Sequence, residues 1–539
     1  MEMGYCELRN RLQIACVLGA IISLSSPVTY GAKILVVPID GSHWINMKIL
    51  IEELKNHGHN ITALYSSKAW YIKESPDLYQ SITVQLQGGT TKFDDSRGIQ
   101  HFLDKLLTTL RHGLTPWAFI LVQNEMISFL REWHLWAGAF ITRIFEDEKL
   151  LKQLEETNFD LVLTDPALGI GSMLAHYLKA PLVYNVRWIT RGEAHFLFAP
   201  SPLSYIPLLG SHLTDKMNFL QRVQNVLQHF LELFISEFFI HPIYNEACRR
   251  YLGTDIDIKT VLLQADVWLM RVDFVFEFPR PTMPNIVYIG GFQCKSPKPL
   301  PVGLERFVQT SGKYGIIVMS LGSLVNSLPL DITMKIAEAF AQVPQKVIWR
   351  HNGKIPPNIA NNTLLAKWIP QNDLLGHPKT QAFVAHGGTN GIYEAIYHGV
   401  PVVGLPLFYD QFDNLIRLKV RGAAKIVDAA TMQSLDLLQA LNEVINNASY
   451  RVNMQKLSSL HRDQLESPMR RAVFWIEYVA RHRGAAHLRS EFYRLPWYTY
   501  YCVDVLALLL SVFLIAAMLI VLILKRFCSV VGKKKQKTQ

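Results

Sequence analysis

Short apolar runs alternate along the chain with longer stretches in which hydrophobic positions recur every three or four residues. Each short run is bounded by glycine, proline or polar residues, which is typical of strands buried on both faces of a parallel sheet. The clearest runs are residues 33–38, 61–65 and 159–163 in the first half and residues 315–319 and 347–350 in the second. Strands that alternate with helices predict doubly wound parallel sheets, an α/β fold class.

The pattern divides the chain into two halves. Residues 295–301 read KSPKPLP, a polar and proline-rich segment that is typical of a semi-rigid linker. We therefore predict one Rossmann-like domain over residues 32–294 and a second over residues 302–490. The second domain is expected to end in an amphipathic helix that begins near Arg470.

Two helical regions of the first half are unusually apolar. Residues 103–148 include Trp117, Phe129 and Trp133, and residues 219–239 form the other region. Core helices, a pocket for lipophilic ligands and a surface that dips into a membrane all fit this composition. The sequence leaves the three open.

The N-terminus has the pattern of a secretory signal. Arg9 and Arg11 precede the apolar residues 12–24, and small or polar residues follow. Thirteen apolar residues are too few to span a bilayer. A signal peptide over residues 1–31 is therefore predicted.

A second targeting pattern lies near the C-terminus. Residues 505–524 are apolar and uncharged, so a transmembrane helix is predicted over residues 503–524. Lys525 and Arg526 follow at once, which places the basic tail, residues 525–539, in the cytosol. The expected topology is a type I single pass with a lumenal body.

The charge of the chain is concentrated in this tail. The formal net charge is +10, and six Lys and Arg residues after Leu524 supply +6 of it without a single acid. The rest is only mildly basic and has no stripe of arginines and aromatics, which argues against nucleic-acid binding. Lys535 and Lys537 resemble a dilysine signal for retrieval to the endoplasmic reticulum, and an ordinary stop-transfer flank is the simpler alternative.

Cysteines and sequons add little to the functional picture. Cys248 and Cys294 are the two cysteines well inside the body, and a disulfide between them and two free thiols both fit the pattern. Sequons for N-glycosylation occur at Asn60, Asn361 and Asn447.

The most informative stretch is residues 383–411, FVAHGGTNGIYEAIYHGVPVVGLPLFYDQ. An apolar run, a glycine turn, an amphipathic segment and a second apolar run, residues 400–408, predict strand, turn, helix and strand. The turn presents backbone N–H groups at a helix N-terminus, where the dipole favours a diphosphate. The pair Asp410 and Gln411 follows the second strand, at the sheet edge where open α/β sheets bind ligands. These features together predict a nucleotide-sugar pocket.

Together with WIPQNDLLGHP at residues 368–378, this stretch resembles the donor-binding motif of the UDP-glycosyltransferases, and most of all vertebrate UDP-glucuronosyltransferases of the endoplasmic reticulum. The resemblance runs from PIDGSHW at residues 38–44 to RRAVFWIEYVARHRGAAHLR at residues 470–489. It implies a GT-B architecture, two facing Rossmann-like domains with a cleft between them. UDP-glucuronic acid is then a co-substrate, and no cofactor is expected.

The resemblance also implies roles at the nucleotide end of the donor. Trp368 would stack on uracil, Gln371 would contact the nucleoside, and Glu394 would accept the ribose hydroxyls. The diphosphate would lie near His386 and the helix start at Thr389, Asn390 and Gly391. Ser320 matches another position near the diphosphate, and capping a helix is the simpler interpretation of that serine.

At the sugar end, Asp410 and Gln411 would hold the hydroxyls. Glucuronic acid carries a carboxylate, so a cation near the sugar is expected. Arg271 matches a family position that holds an arginine, but Val272 and Asp273 after it depart from the commoner wording. A structural role for Arg271 therefore stays open.

Transfer of a sugar to an alcohol needs a base that takes the proton of the acceptor. His43 is the candidate, and it lies in a turn directly after the first strand. Its ordinary pKa near 6.5 suits proton abstraction at neutral pH. Asp165 also follows a strand and would orient the imidazole. The two residues match the family's base and its partner acid, whereas Asp40, the rival acid, is better interpreted as a turn residue. There is no DxD in a suitable context and no Cys/His ligand spacing, so no metal is predicted.

The resemblance implies transfer of glucuronic acid to hydroxyl or carboxyl groups of small lipophilic acceptors, with inversion of the anomeric centre. A UDP-glucose or UDP-N-acetylglucosamine dependent enzyme is the first alternative, and a non-catalytic partner subunit is another. An oxidoreductase is disfavoured because DGSHW, and not GxGxxG, follows the first strand. A lipid membrane is an expected partner, and a homo- or hetero-oligomer is left open.

Overall fold

Two parallel sheets organise the body of the protein. The computed structural model describes residues 31–86, 97–111, 113, 115–189, 192–325 and 327–536. The strands are, in chain order, β1 (Lys33–Val37), β2 (Asn60–Ser66), β3 (Gln80–Val84), β4 (Leu161–Thr164), β5 (Leu182–Val186), β6 (Trp188–Ile189), β7 (Gly192–Glu193), β8 (Val267–Met270), β9 (Ile286–Tyr288), β10 (Ile316–Ser320), β11 (Lys346–Arg350), β12 (Thr363–Ala366), β13 (Thr380–Ala385), β14 (Val402–Gly404) and β15 (Ala424–Ile426).

Helices connect these strands. In chain order they are α1 (Ser42–Asn56), α2 (Arg97–Leu110), α3 (Pro116–Phe145), α4 (Glu148–Thr157), α5 (Ile170–Leu178), α6 (His195–Phe198), α7 (Phe219–Ile235), α8 (His241–Tyr251), α9 (Ile258–Leu262), α10 (Val302–Gln309), α11 (Leu330–Ala341), α12 (Gln371–Leu375), α13 (Thr389–His398), α14 (Gln411–Val420), α15 (Ser434–Asn446), α16 (Ala448–Arg462), α17 (Pro468–His482), α18 (Trp497–Tyr500) and α19 (Val503–Gln536). A π-helical turn, Ser236–Ile240, joins α7 to α8.

The first sheet has the strand order β3-β2-β1-β4-β5-β8-β9 and the second has the order β12-β11-β10-β13-β14-β15. All neighbouring strands in both sheets run parallel, as between β1 and β4 or β10 and β13. Helices that cover both faces require apolar side chains in both directions, and every residue of β4 and of β10 is buried. The predicted α/β class with two Rossmann-like sheets is confirmed.

The predicted linker lies between the two sheets in the chain. Residues 295–301 follow β9 and precede α10. Near the end of the body, α17 packs back onto α1 and onto strands of the first sheet. Glu477 of α17 fixes this return, because its Oε1 lies 3.1 Å from Nε2 of the buried His59. The last helix of the second half therefore belongs in space to the first sheet.

One helix of the first half lies in the core of the second sheet. Leu103 and Leu107 of α2 are buried in one cluster with Ile317 and Met319 of β10. At the edge of this contact, the Gln100 side chain donates to the carbonyl of Ser327 (2.9 Å). The two halves are therefore joined by a hydrophobic core as well as by the chain.

Residues 487–539 form a second unit. Among the described residues, the segment Val503–Val530 of α19 is long and apolar enough to cross a membrane, and it contains the predicted span. Residues 1–30 of the predicted signal peptide lie outside the described residues, as do the last three residues of the basic tail.

The two cysteines predicted to lie well inside the body and the three sequons are all among the described residues. Cys248 and Cys294 are free thiols in the structure. The sequon residues Asn60, Asn361 and Asn447 are all exposed.

Candidate active site

A cavity of about 530 Å³ opens at the carboxyl ends of both sheets. This volume is in the range of sites for small molecules. Its lining includes His43 from the first half and the predicted donor-binding residues Arg271, Ser320, Trp368, Gln371, His386, Thr389, Asn390, Gly391, Glu394, Asp410 and Gln411. Residues predicted from separate parts of the sequence therefore share one cleft.

His43 stands at the start of α1, directly after β1 and its turn. Its Nδ1 lies 2.6 Å from Oδ2 of Asp165, and the edge of the Trp188 ring lies against it at 4.9 Å between centroids. A proton on Nδ1 that is donated to Asp165 leaves Nε2 as an acceptor. The arrangement suits a general base whose tautomer is fixed by a carboxylate.

Asp165 follows β4 and lies behind His43, only 2 % exposed. Its Oδ1 accepts from the backbone N–H of Ala167 (3.0 Å), and Arg271 reaches its Oδ2 at 3.3 Å. Burial opposes ionisation, but His43 and Arg271 outweigh it and lower the pKa of Asp165. The carboxylate therefore stays charged and can stabilise a positive charge on His43.

Asp40, the rival acid, has a different task. Its carboxylate accepts from the backbone N–H groups of Gly41, Trp70 and Tyr71 at 2.8, 2.6 and 3.1 Å. It thereby closes the turn after β1 onto the loop that begins after β2, as expected of a turn residue.

The glycine turn after β13 leads directly into α13. Gly387 has φ +93°, and a Cβ there would lie 2.6 Å from the carbonyl of Gln411. The N-cap residue is Gly388, which offers no capping side chain, and the first helical residues line the cavity. The first N–H groups of α13 therefore have no capping side chain and lie at the cavity, an arrangement that suits an anion.

His386 precedes this turn. Its Nδ1 is buried without a hydrogen-bond partner among the described residues. Burial lowers the pKa of His386 to about 4, although Asp410 acts in the opposite direction. The imidazole is therefore neutral near pH 7 and can donate one N–H into the cleft. Gly322, with φ +77°, lies against it, since a Cβ there would be 2.7 Å from the ring.

Two predicted nucleoside contacts lie side by side. Nε2 of Gln371 donates to Oε2 of Glu394 at 2.6 Å. Burial raises the pKa of Glu394 to about 7, although the hydrogen bond from Gln371 lowers it. Trp368 is 66 % exposed, and the Arg350 guanidinium lies 5.7 Å from its ring centroid. An exposed indole at the mouth of a cleft is free to stack on a base.

At the predicted sugar end, the structure differs from the sequence pattern in one respect. The apolar run 400–408 predicts a strand, but β14 ends at Gly404. Pro406 has no N–H for the ladder, so the chain leaves the sheet as a loop. Asp410 is therefore presented by a loop and by the start of α14.

Hydrogen bonds hold this loop. Oε1 of Gln411 accepts from the backbone N–H groups of Leu407 (2.8 Å) and Phe408 (3.3 Å). Oδ2 of Asp410 accepts from Nδ2 of Asn414 (2.8 Å) and from Oγ1 of Thr389 (3.3 Å). Asp410 is thereby connected to the start of α13.

Ser320 and Arg271 complete the predicted set. Ser320 ends β10 and is buried, and its Oγ accepts from the N–H of Gly322 at 3.4 Å. The next helix, α11, has Pro329 as its N-cap, so Ser320 does not cap it. The guanidinium of Arg271 contacts Asp165, and its Nε has no hydrogen-bond partner among the described residues. Both side chains line the cavity.

Sequence reasoning missed two polar residues of the cleft. Asn46 donates through Nδ2 to Oδ1 of Asn390 at 2.5 Å, across the cleft. It lies one helical turn after His43, so helical periodicity could have indicated it. Arg187 directly follows β5, and the rule that selected His43 and Asp165 at strand ends applies to it equally.

The remaining wall is aromatic. Phe102 stacks on Phe129 at 4.4 Å between centroids, and Trp188 packs edge-on against Trp133 (6.3 Å) and Tyr409 (4.7 Å). These residues line the cavity near His43. Part of the aromatic region predicted at residues 103–148 is thus a pocket wall, which suits lipophilic ligands. Within the ranges that the structure describes, no group of three or more His, Cys, Asp or Glu side chains could hold a metal ion.

Comparisons with known proteins show the family to which the chain is similar. Residues 32–538 match the family model described as UDP-glucoronosyl and UDP-glucosyl transferase. The chain is 42 % identical over 515 residues to UDP-glucuronosyltransferase 2A1 of Mus musculus, covering 95 % of this chain and 97 % of that protein. It is 40 % identical over 531 residues to UDP-glucuronosyltransferase 2B15 of Homo sapiens, covering 96 % and 98 %. Among solved structures, the glycosyltransferase VinC in complex with dTDP matches with a TM-score of 0.53 at 15 % identity, covering 84 % of this chain and 100 % of that one.

Proposed function

Because this chain belongs to the UDP-glucoronosyl and UDP-glucosyl transferase family, we propose that it transfers glucuronic acid from UDP-glucuronic acid to small lipophilic acceptors. The accepting groups are hydroxyls or carboxyls, and the products are β-glucuronides and UDP. The relatives named UDP-glucuronosyltransferase, matched over 95 % of the chain, support the choice of sugar. The observation that carries the proposal is the His43–Asp165 pair, which opens onto the same cavity as the donor-binding residues.

In the proposed mechanism, His43 is the catalytic base. Nε2 of His43 takes the proton of the acceptor hydroxyl while the hydroxyl oxygen attacks C1 of the sugar. The bond from C1 to the β-phosphate oxygen breaks, and its electron pair leaves with UDP. Attack from the face opposite the leaving group converts an α-linked donor into a β-linked product. Asp165 acts as a positioning residue that stabilises the imidazolium.

The diphosphate lies at the start of α13 in this proposal. The N–H groups of Thr389, Asn390 and Gly391 meet the phosphate oxygens, and His386 donates one further N–H. These donors are fixed before the reaction, so they stabilise the developing charge on UDP without reorganisation. Ser320 is close enough to the turn at Gly322 to add a hydroxyl.

The two ends of the donor have separate contacts. Trp368 stacks on uracil, and Gln371 and Glu394 bind the nucleoside. Asp410 accepts hydrogen bonds from the sugar hydroxyls, and the side-chain NH₂ group of Gln411 donates to them. Arg271 faces the glucuronate carboxylate, which is consistent with its unpartnered Nε. Its contact with Asp165 gives Arg271 a second role in orienting His43.

The location follows from the C-terminal unit. We infer that α19 anchors the protein in the membrane of the endoplasmic reticulum, with the body in the lumen and the basic tail in the cytosol. The apolar segment Val503–Val530 supports the anchor, and Lys525 and Arg526 support the orientation. An acceptor that dissolves in the bilayer would then be concentrated near the enzyme.

The experiment uses membranes that contain the full chain and a simple phenol as acceptor. UDP-glucuronic acid, UDP-glucose and UDP-N-acetylglucosamine are supplied in parallel, with His43→Ala as the inactive control. Product from UDP-glucuronic acid alone is expected. Product from another donor contradicts the glucuronyl assignment and keeps the fold and the base. Activity that survives in His43→Ala contradicts the base assignment. UDP binding without any turnover across a panel of acceptors would favour a non-catalytic partner.

A further inference from the structure

Arg187 is a buried arginine that reaches from the first half of the chain into the donor end of the cleft. It directly follows β5 and is 4 % exposed. Its Nη1 contacts Oε1 of Glu277 at 2.5 Å, and its Nη2 donates to Oδ1 of Asn414 at 3.1 Å. Its Nε lies 4.0 Å from Oδ2 of Asp410. One guanidinium therefore touches three groups, two of them on α14 or at its start.

Glu277 fixes Arg187 from behind. Its other oxygen, Oε2, pairs with Nε of Arg417 at 2.9 Å, and its carbonyl accepts from Arg421 at 2.9 Å. Burial disfavours the charge on Arg187, but Glu277 and Asp410 outweigh it and raise the pKa of the guanidinium. Arg187 is thus a permanently charged and rigidly held donor.

Asn414 connects Arg187 to the proposed donor site. Its Oδ1 accepts from Arg187, and its Nδ2 donates to the carbonyl of Gly387 (2.9 Å) and to Oδ2 of Asp410 (2.8 Å). The oxygen and the nitrogen of an amide are bonded to the same planar carbon and point in different directions. A donor that holds the oxygen therefore directs the NH₂ group toward Asp410 and the glycine turn.

We propose that Arg187 is a positioning residue for the sugar end of the donor: through Asn414 it orients Asp410, so recognition of the transferred sugar depends on the first half of the chain. This inference rests on the proposed function, which places the sugar at Asp410. The nucleotide contacts at Trp368, Gln371 and Glu394 receive no hydrogen bond or ion pair from Arg187 in the described structure. Asn414 also holds the carbonyl of Gly387 beside the proposed diphosphate site, so loss of Arg187 should weaken binding of the UDP-sugar more than binding of UDP.

The test compares Arg187→Lys and Arg187→Met with a matched control, Arg280→Met. Arg280 is equally buried, at 3 % against 4 % exposure of the side chain, and pairs with Glu193. Both of its partners, Glu193 and Ser201, lie in the first half and outside the cavity lining. The full chain is measured in membranes for donor KM, acceptor KM, UDP affinity and thermal unfolding.

Arg187→Lys is the decisive variant. A lysine can pair with Glu277, but a single ammonium cannot hold Glu277 and Asn414 at once as the guanidinium does. Loss of a hydrogen bond that involves a charged group changes an equilibrium constant by about 10- to 100-fold. We therefore expect an unfolding temperature near that of the wild type, a donor KM raised by about tenfold or more, and a clearly smaller loss of UDP affinity. Arg187→Met should raise the donor KM at least as much, and Arg280→Met should lower only the unfolding temperature.

Two results would overturn the proposal. One is an unchanged donor KM in Arg187→Lys and Arg187→Met. The other is an equal loss of affinity for UDP and for the UDP-sugar, which would indicate a purely structural role. Failure of the proposed function can be distinguished from failure of this inference. If the wild type uses a different UDP-sugar, the role of Arg187 is tested by comparing the affinities for that donor and for UDP.

Discussion

At the residue scale, the proposed reaction depends on the polar contact between Nδ1 of His43 and Oδ2 of Asp165, which is 2.6 Å long. An Asp165→Asn variant keeps the size of the side chain but removes the charge that stabilises the imidazolium. We expect kcat to fall by about 10²- to 10⁴-fold, the range of general acid–base contributions, while UDP affinity stays unchanged. Steady-state kinetics and UDP competition measure the two quantities.

The control for this prediction is Asp266→Asn. Asp266 is another buried carboxylate, and it accepts from the backbone N–H groups of Leu182 and Ala485 at the opposite edge of the sheet. The Asp266→Asn variant should have a lower thermal stability and a kcat near the wild-type value. If Asp165→Asn behaved in the same way as this control, Asp165 would have no role in catalysis.

Glu394 predicts a pH dependence of donor binding. Burial raises the pKa of Glu394 to about 7, so the carboxylate that is proposed to accept both ribose hydroxyls predominates only above that pH. As the pH falls below about 7, the free protein binds a proton there, and the donor Kd should rise by up to about tenfold per pH unit. The Kd of UDP-glucuronic acid is measured in the His43→Ala background, in which turnover is expected to be absent.

Glu394→Gln separates this effect from other titrations. The amide should weaken donor binding above pH 7 and remove its dependence on pH between about 5.5 and 7. A Kd that varies with pH equally in the variant would assign the titration to another group.

At the scale of elements, the turn after β10 supports the turn after β13. Gly322 has φ +77°, and a Cβ there would lie 2.7 Å from the ring of His386. Gly322→Ala should therefore displace His386 from the proposed diphosphate site, in addition to a backbone cost of about 1–2 kcal/mol. We expect a reduction of donor affinity by about tenfold, measured as donor KM and UDP Kd.

Gly312→Ala is the matched variant in the same half. Gly312 also has positive φ, +56°, but a Cβ there meets no atom within 4 Å. It should show a loss of stability similar to that of Gly322→Ala and an unchanged donor affinity. Equal donor affinity in the two variants would rule out the contact with His386 as the cause.

The parts of the site that the sequence predicted are those defined by local pattern. His43, Asp165 and the residues of α13 each follow a strand within a few positions, and parallel strands bring their carboxyl ends to one edge. Local pattern could also have placed Asn46 and Arg187 near the site, but it could not assign their contacts, because their partners are 344 and 227 positions away. The loop after β14 was missed because the apolar residues around Pro406 are buried without belonging to a strand.

At the scale of the whole molecule, the two units predict a separable anchor. A chain that ends at Ala486 keeps the described strands of both sheets and lacks Val503–Val530. Alkaline carbonate extracts proteins that are held only at the surface of a membrane. The shortened chain should therefore appear in the supernatant and still bind UDP, whereas the full chain stays in the pellet.

Retention of the shortened chain in the pellet would place a second integral attachment in the body. The aromatic face of α7 is the candidate for such a second attachment, since Phe219, Phe230 and Phe234 are exposed. A variant of the shortened chain with these three residues replaced by serine would then measure the contribution of this face.

The position of α2 has a consequence for exchanging parts between relatives. Leu103 and Leu107 are buried in the core of the second sheet, although they come from the first half of the chain. A hybrid protein joined at residues 295–301 would combine α2 from one parent with a core from the other. Acceptor preference should therefore transfer between relatives only when the residues that receive α2 are transferred with it.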